Sequence, residues 1–352
     1  MNLSQLRTWA CTAAVITAGA LSAQAQGNNF NTPGNILISD QYNNRVIEVN
    51  PDNHEVVWQF GNGSSVAGPQ SVVGVNDAQR VGFLTLIAGT GVPPGAEPTC
   101  TNGCADNRVM LVDPLGDIVW QYGQAGVTGS GPNQLNTPVQ NTWLPNFHVL
   151  ITDQGNQRII EVTLERNIVW QYGQTGVSGD GHDQLNSPNS AELLANGHIL
   201  IADESNNRVI EVTRNHNIVW SYGCASCSEL SGAAFASRLP NGNTLITDSN
   251  NNRILIVTPE KQVVFTYYTN ARPGSVSSPL PTRAVLLRNG HILISDQYNM
   301  QVIEIDPDKN VVFYQGQIGV AGNTFDRLNG PYDAKVVGDY TGLTPPFGFA
   351  GK

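Results

Sequence analysis

Residues 35–60 read NILISDQYNNRVIEVNPDNHEVVWQF, and close copies of this stretch return along the chain. Residues 148–173 read HVLITDQGNQRIIEVTLERNIVWQYG, and residues 198–223 read HILIADESNNRVIEVTRNHNIVWSYG. Less similar copies lie at residues 243–268, 291–315 and 106–123. Repetition at about fifty residues is typical of architectures that stack one small unit on the next. The repeat unit therefore has to be interpreted before any single residue.

Each unit contains four short runs with the character of β-strands. In one unit these runs are residues 189–194, 198–202, 209–212 and 217–222. They are separated by turn-forming residues such as Asn196-Gly197, which is a strong hairpin signal between two strands. Four antiparallel strands in a unit of this length make one propeller blade. The sequence predicts an all-β fold, a six-bladed β-propeller of four-stranded antiparallel blades, in a single domain over residues 26–352.

The innermost strand of each blade shows how the ring closes. These strands are predicted at residues 70–75, 139–144, 189–194, 234–239, 282–287 and 330–337. The first repeat starts directly at a second strand, residues 35–39, and the innermost strand it lacks is found at residues 330–337. We therefore expect the C-terminal strand to pair with the N-terminal blade, which leaves no open edge there. Removal of residues 330–352 should prevent stable folding.

The N-terminus has the features of a secretory signal peptide. Arg7 precedes an apolar stretch over residues 9–21, which is followed by the small-x-small pattern Ala23-Gln24-Ala25. We expect residues 1–25 to be removed, leaving a secreted or periplasmic protein, with a retained N-terminal anchor as the alternative. The formal net charge is −10 and only 13% of the residues are charged. This argues against nucleic acid as a partner, and no membrane span is predicted after signal removal. We expect a monomer.

Four cysteines remain after the predicted cleavage, and they form two close pairs. Cys100 lies near Cys104, and Cys224 lies near Cys227. In an oxidising compartment such pairs favour two local disulfides. A redox motif and a zinc site shared by the four thiolates are the alternatives. The sequence around Cys224 and Cys227 does not have the histidine needed for haem attachment.

A polar motif, Asp-x-x-Asn-x-Arg, recurs where the second strand of a blade meets the third. Its aspartates and arginines are Asp40 and Arg45, Asp153 and Arg158, Asp203 and Arg208, and Asp248 and Arg253. The sixth blade has Gln301 in place of the arginine, and the second has Gly89 in place of the aspartate, followed by an insertion at residues 90–105. Because catalysis needs one constellation rather than several equal ones, we expect the motif to stabilise turns. A ring of acid–base groups is the alternative.

An aromatic residue occupies one position of the outermost strand in every blade. The residues are Trp58, Trp120, Trp170, Trp220, Phe265 and Phe313. One ring per blade at the same position is the pattern of packing between blades, whereas an aromatic cage would gather several rings at one place. We therefore expect this column to be structural.

These units resemble NHL repeats. The resemblance rests on the Asp-x-x-Asn-x-Arg turn, the Trp-x-Tyr-Gly sequence and the Gly-rich segment at residues 174–188, QTGVSGDGHDQLNSP, which recurs at residues 124–138. It covers residues 26–352. The resemblance implies a six-bladed scaffold that carries lyases, lactonases and pure binding modules, so it is specific for fold and not for function.

A ligand is expected on the face that carries the long loops, at the mouth of the central channel. The turns between second and third strands and the loops between blades open on this loop-rich face, and the tight turns between first and second strands on the opposite, plain face. Two columns of innermost-strand residues are expected to line the channel. The first contains Ser71, Gln140, Ser190, Phe235, Arg283 and Asp333, and the second contains Val73, Thr142, Glu192, Ser237, Val285 and Lys335.

The candidate ligand-binding residues are those that are polar or charged in a channel of small and apolar neighbours. They are Arg283, Asp333, Glu192, Lys335 and Gln140. Buried charges need partners or a task, so mutual ion pairing and ligand binding are the two interpretations.

No cofactor or metal is predicted from the sequence. The innermost strands contain no histidine, whereas a metal site in the channel would need several. Asp180 and Asp183 could bind calcium, but their spacing does not match an EF-hand loop. The favoured function is a module that binds an unknown protein or small molecule through the loop-rich face, without catalysis. A lyase or hydrolase at the channel mouth is the alternative, and a quinone- or sugar-binding propeller is a third.

Overall fold

The computed structural model describes residues 29–324 and 326–346, so the predicted signal peptide at residues 1–25 lies outside the described residues. In chain order the strands are β1 (Ile36–Asp40), β2 (Arg45–Val49), β3 (Val56–Phe60), β4 (Val75–Val81), β5 (Leu84–Val92), β6 (Cys104–Val112), β7 (Ile118–Gly123), β8 (Pro138–Trp143), β9 (Val149–Asp153), β10 (Arg158–Val162), β11 (Ile168–Tyr172), β12 (Pro188–Leu193), β13 (Ile199–Asp203), β14 (Arg208–Val212), β15 (Ile218–Gly223), β16 (Ala233–Arg238), β17 (Thr244–Asp248), β18 (Arg253–Val257), β19 (Val263–Tyr268), β20 (Pro281–Leu286), β21 (Ile292–Asp296), β22 (Gln301–Ile305), β23 (Val311–Gln315) and β24 (Pro331–Val336).

These strands form six four-stranded antiparallel sheets arranged as a ring, so the predicted six-bladed propeller is confirmed. The helical segments of the described residues are short 3₁₀ turns: Gln41–Asn43, Gln154–Asn156, Glu204–Asn206, Ser249–Asn251, Thr269–Ala271 and Gln297–Asn299. Over the same residues, no helix is long and apolar enough to cross a membrane.

The ring closes through the C-terminal strand, as predicted. The first blade has the order β24-β1-β2-β3, and Ile38 of β1 faces Ala334 of β24 in antiparallel register. β24 also packs beside β4 and β20, the innermost strands of the blades on either side. The two chain ends are therefore held in one sheet.

The core lies between the blades because the inner three strands of each blade are mostly buried on both of their faces. Ile159 of the third blade, for example, belongs to the same apolar cluster as Ile201 and Ile210 of the fourth, and all three are fully buried. Burying both faces of a sheet requires apolar side chains on alternating sides, which explains the β-branched runs of the repeat.

The aromatic column joins each blade to the next. Four tryptophan Nε1 groups donate to a carbonyl in the turn between third and fourth strands of the following blade: Trp58 to Pro114 (3.2 Å), Trp120 to Leu164 (2.9 Å), Trp170 to Arg214 (3.0 Å) and Trp220 to Pro259 (3.0 Å). In the last two blades Lys309 Nζ lies 5.2 Å from the Phe265 ring, and His54 stacks on Phe313 with centroids 5.6 Å apart. The same position of the outermost strand thus makes a contact of one of three kinds at each of the six junctions between blades.

The innermost strand of the second blade differs from its prediction. It is β4, residues Val75–Val81, and not residues 70–75. Asp77 pairs with Ala88 as Ser190 pairs with Ala202, so Asp77 and Gln79, not Ser71 and Val73, occupy the two channel columns. Val73 instead packs against Val92 and Cys100 at the base of the inserted hairpin, which is why an apolar run precedes the strand.

The segment after β24 covers the plain end of the central channel. Leu343 packs against Phe235 and Val285, and the Tyr340 hydroxyl donates to the Arg80 carbonyl at 3.2 Å. Thr344 Oγ1 accepts a hydrogen bond from the Leu193 amide at 2.9 Å. Because this end is covered, any approach to the channel is from the loop-rich face.

Candidate functional site

The Asp-x-x-Asn-x-Arg motif clamps the long loop that enters each blade. In the fourth blade Asp203 Oδ1 accepts from the Asn186 amide at 2.7 Å, while Oδ2 accepts from Asn206 Nδ2 and Arg208 Nε, both at 2.7 Å. Arg208 also donates to the carbonyls of Asp180 (2.9 Å) and Gln184 (3.1 Å). The equivalent ion pairs are Asp40–Arg45 (2.7 Å), Asp153–Arg158 (2.7 Å) and Asp248–Arg253 (2.6 Å).

The second blade keeps the clamp although Gly89 replaces the aspartate. Asp106, two residues before Arg108, binds its Nε at 2.6 Å and accepts from the Val73 amide at 2.7 Å. A Cβ on Gly89 would lie 2.5 Å from Asp106 Cγ, so the glycine leaves the space that the aspartate fills. The carboxylate has moved from the second strand to the third.

The sixth blade keeps the clamp although Gln301 replaces the arginine. Arg272, from the loop between β19 and β20, donates to Asp296 Oδ2 at 2.6 Å and to Gln301 Oε1 at 3.0 Å. Burial raises the pKa of Asp296, and Arg272 opposes that shift. All six blades therefore carry one carboxylate–guanidinium pair on the loop-rich face. The role of Arg272 was not predicted because it lies far from the motif in sequence.

Three of the candidate channel residues meet in one buried ion network. Arg283 lies between Asp77 and Asp333, at Nη2–Oδ1 3.5 Å and Nε–Oδ1 3.4 Å. Lys335 Nζ contacts Asp77 Oδ1 at 2.7 Å and Asp333 Oδ2 at 2.5 Å. Burial raises the pKa of Asp77 to about 6, which Lys335 opposes and Asp333 reinforces. Asp77 completes the network and was not predicted.

Gln140 and Glu192 form a second, separate group near the plain face. Gln140 Nε2 donates to Glu192 Oε1 at 2.8 Å. Glu192 Oε2 accepts from the Thr344 amide at 2.9 Å and from the Thr344 hydroxyl at 2.5 Å. Burial raises the pKa of Glu192, and these Thr344 bonds oppose the shift. This carboxylate therefore holds the segment that covers the plain end.

The first channel column also links neighbouring innermost strands. In four blades its side chain accepts a hydrogen bond from a backbone amide of the next blade: Asp333 from Ala78 (3.3 Å), Asp77 from Asn141 (3.3 Å), Gln140 from Ala191 (2.7 Å) and Ser190 from Ala236 (3.3 Å). Since these residues bind the scaffold, the network deep in the channel has a structural task of its own.

The channel mouth on the loop-rich face carries a second acidic centre, at Glu204. This residue opens the 3₁₀ turn after β13, where other blades have Gln41, Gln154, Ser249 or Gln297. Its Oε2 accepts from Asn189 Nδ2 at 2.8 Å and Gln154 Nε2 at 3.4 Å. Burial raises the pKa of Glu204, and the Asn189 bond opposes the shift.

Three tyrosines lie at the same mouth, and Tyr332 is the one beside Glu204. The Tyr332 hydroxyl lies 2.8 Å from Asn189 Nδ2, and the hydroxyls of Tyr42 and Tyr298 lie 3.4 Å apart. Burial raises the pKa of Tyr332, with Glu204 the next contributor. Burial also raises the pKa of Tyr42, to which Tyr298 adds. The phenols of Tyr42 and Tyr332 therefore stay neutral at physiological pH.

The inserted hairpin borders the same mouth. Its strands β5 and β6 extend beyond those of the other blades. Cys100 of its loop forms a disulfide with Cys104 at the start of β6, and Cys224 and Cys227 form another in the loop after β15. Both predicted cysteine pairs are thus confirmed. Glu97, inside the hairpin, accepts from Asn329 Nδ2 at 3.1 Å.

The sequence predicted a ligand at the mouth, but not the residues that form it. Its members are Tyr42, Glu97, Asn189, Glu204, Tyr298 and Tyr332. The sequence contained one signal for Glu204. In the five blades that keep the motif aspartate, the next residue is Gln, Gln, Glu, Ser and Gln in blade order, so Glu204 is the charged member of this series.

Metal ligands do not cluster in the part of the chain that the structure describes, where no group of three or more His, Cys, Asp or Glu residues could hold an ion. Asp183, one of the two calcium candidates, accepts from the Gly173 amide at 2.9 Å and lies 3.1 Å from His216 Nδ1. Both contacts are typical of a turn carboxylate.

Two clefts open on the outer rim, away from the channel. One, of about 580 Å³, is lined by Tyr268, Arg272, Lys309 and Tyr314 among others. The other, of about 620 Å³, lies between the first two blades beside Ser71 and Ile118. These two clefts are alternatives to the channel mouth as ligand-binding surfaces.

Comparisons with known proteins match the fold. No protein-family model and no curated protein matches the chain. A Bacteroides caccae protein of unknown function is 18% identical with a TM-score of 0.56, over 80% of this chain and 93% of that one. Virginiamycin B lyase from Staphylococcus aureus is 14% identical with a TM-score of 0.51, over 84% and 87%. A chain of a nidogen/laminin complex is 9% identical with a TM-score of 0.55, over 84% and 97%. At these identities the similarity shows the propeller fold alone.

Proposed function

We propose that this propeller is a binding module whose ligand, a protein segment or a small molecule, is held at the channel mouth on the loop-rich face. The observation that carries the proposal is that Tyr298 and Glu204 lie near Tyr332 at the loop-rich end of a channel whose other end is covered. Concave sites with aromatic walls and a few fixed polar groups are where propellers and other scaffolds hold ligands.

The loops that form the site are also held rigidly, which favours ligand binding. The loops around the mouth are clamped by a buried ion pair in every blade, and the inserted hairpin is tied by a disulfide. A Cβ on Gly330 would lie 2.5 Å from Tyr42 Cδ2, so this glycine allows the ring to pack closely. A rigid site loses less entropy when a ligand binds.

We further propose that the units are NHL-type repeats and that the protein is exported, with a mature N-terminus at Gln26. The support is the Arg7-led apolar segment, the Ala23-Gln24-Ala25 pattern and the two disulfides. N-terminal sequencing of the protein recovered from its native cell envelope or medium tests this. An N-terminus at Met1 would contradict it.

The lyase alternative has less support than the binding module. A histidine-to-alanine variant of virginiamycin B lyase is described as catalytically inactive. In this chain His148, His198 and His291 pair with glutamates on the plain face, at 2.6, 2.7 and 2.5 Å. His54 and His216 lie in turns between third and fourth strands, and His182 lies in an exposed loop. The described mouth thus contains no histidine that could act as an acid or base.

A thermal-shift screen against amines, sugars, carboxylates and nucleotides tests where the ligand binds. Tyr298→Ala alters the mouth, and Tyr314→Ala is the matched control because Tyr314 lies on the rim and is 51% exposed. We expect a stabilising compound whose shift is lost in Tyr298→Ala and kept in Tyr314→Ala. A shift lost only in the control would place binding in the rim cleft and overturn the proposal, as would shifts unaffected by Tyr298→Ala.

A further inference from the structure

We infer that the group recognised at the channel mouth is an alkylammonium ion, carried either by a free amine or by a lysine side chain of a partner. This inference rests on the proposed function and deepens it by naming the ligand chemistry. Three independent features of the described residues support it: the charge of the face, the direction of its hydrogen-bonding groups, and its aromatic lining.

The first feature is the charge that remains once the clamps are paired. Each clamp arginine on the loop-rich face binds an aspartate, as Arg208 binds Asp203 and Arg272 binds Asp296. Outside these pairs the face carries six acidic residues against Arg327: Glu97, Asp180, Asp183, Glu204, Glu229 and Asp326. A surface with this balance attracts cations and repels anions.

The second feature is that amide donors at the mouth point to protein partners. Gln154 Nε2 is directed to Glu204, Gln297 Nε2 donates to Gln41 at 2.7 Å, and Asn329 Nδ2 donates to Glu97. No donor among the described residues reaches Glu204 Oε1 or the amide oxygens of those three side chains. Glu204 Oε1 and these amide oxygens are therefore acceptors without a protein donor, while each amide also keeps a second N–H. An ammonium group has three donors and no acceptor, so it matches this arrangement better than a carboxylate or phosphate.

The third feature is the aromatic lining. Tyr42, Tyr298 and Tyr332 border the site, and the faces of tyrosine rings attract ammonium groups. Because burial raises the pKa of Tyr42 and Tyr332, these two rings stay neutral. The Arg283 guanidinium lies 6.0 Å from the Tyr332 ring centre and acts on Glu204, but its charge is paired with Asp77 and Asp333.

Isothermal titration calorimetry with the intact mature protein tests the inference, using spermidine and a hexalysine peptide as separate probes at low ionic strength. We expect one-to-one binding of at least one probe, weakened about tenfold or more by Glu204→Gln, since a hydrogen bond to a charged group is worth that much. The matched control is Glu229→Gln, which removes a carboxylate from the same face but not from the mouth. It should change the affinity less than about twofold.

Each outcome of the titration has a defined meaning. Binding of spermidine alone identifies a free amine, binding of the peptide alone identifies a protein partner, and binding of both identifies the ammonium group itself. Absence of binding by both probes overturns the inference, and so does equal weakening by Glu204→Gln and Glu229→Gln, which would mean attraction by net charge. If Glu204→Gln fails to fold, Tyr298→Ala serves as the second mouth variant.

The failure of this inference can be separated from failure of the proposed function. A sugar or carboxylate whose thermal shift depends on Tyr298 would leave the binding module intact and remove only the ammonium specificity. Amine binding that is indifferent to both Glu204 and Tyr298 would remove the mouth as the site.

Discussion

The Asp106 carboxylate occupies the space that a side chain on Gly89 would need, and from there it binds Arg108 Nε at 2.6 Å. The pair replaces the aspartate and arginine that other blades hold on successive strands. Moving the carboxylate to the third strand frees the end of the second strand. The turn between β5 and β6 can then lengthen into the hairpin at the channel mouth while the blade keeps its clamp.

The relationship between Gly89 and Asp106 predicts that one substitution will partly compensate for the loss of stability caused by the other. Gly89→Asp alone should destabilise the protein, because it places a second carboxylate against Asp106. Asp106→Ala alone should lower the free energy of unfolding by about 3–5 kcal/mol, because it leaves Arg108 buried without its partner. Combining both changes should recover part of that loss by restoring the usual order of the motif. Urea denaturation of the three variants measures it, and strictly additive effects would contradict the compensation.

Arg272 is predicted to be essential to the sixth blade although it lies outside the motif. Arg272→Ala leaves Asp296, which is fully buried, without its cation and should cost about 3–5 kcal/mol in the free energy of unfolding. Adding Asp296→Asn should restore much of the loss by removing the unpaired charge. The comparison uses chemical denaturation at neutral pH. Equal stabilities of Arg272→Ala and the wild type would show that the ion pair is dispensable.

Asp77 predicts a pH dependence of stability. Burial raises its folded pKa to about 6, above the ordinary 3.8. A carboxyl with a raised folded pKa stabilises the fold below its unfolded pKa, and this contribution is lost as the pH rises through the folded value. The wild type should therefore lose stability relative to Asp77→Asn between about pH 4 and pH 6–7. Denaturation of both proteins across that range measures the difference, and a difference independent of pH would refute the assignment.

The C-terminal residues are predicted to be part of the fold. Without residues 330–352 the edge of β1 is unpaired and the channel loses Asp333 and Lys335, so the truncated chain should show no cooperative unfolding transition. Thr344→Val is the milder test, because it removes the hydroxyl contacts with Glu192 and with the Leu193 backbone but keeps the Thr344 amide bond to Glu192. It should lower the free energy of unfolding by about 1–3 kcal/mol. Wild-type melting of either variant would contradict this account.

The fold could be predicted from the sequence because its signals are local and repeated. Hairpin turns such as Asn196-Gly197, β-branched runs and the recurring tryptophan each occur several times, so an error in one blade is corrected by the others. The closure by β24 was predictable for the same reason, since the first repeat lacks an innermost strand.

The second blade shows where such prediction fails. Val72, Val73 and Val75 have the composition of a strand, whereas the true strand contains Asp77 and Arg80 and has the composition of a loop. Asp77 is stabilised by Lys335, which is 258 residues away, and Arg80 by Glu48 of the first blade, and composition reveals neither partner. The residues of the mouth were missed for a related reason: Glu204 and Tyr332 belong to different blades and come together at Asn189 only when the ring closes.

The pairing of the first strand with the last also determines when folding can finish. β1 is among the earliest strands to be synthesised, and its partner β24 is made about 290 residues later. At about 5–20 residues per second, the ribosome needs roughly 15–60 s to bridge that gap. During this time the edge of β1 has no partner within its own chain. The nascent protein therefore depends on being kept from neighbouring chains, by chaperones or by delayed folding, until its last strand emerges.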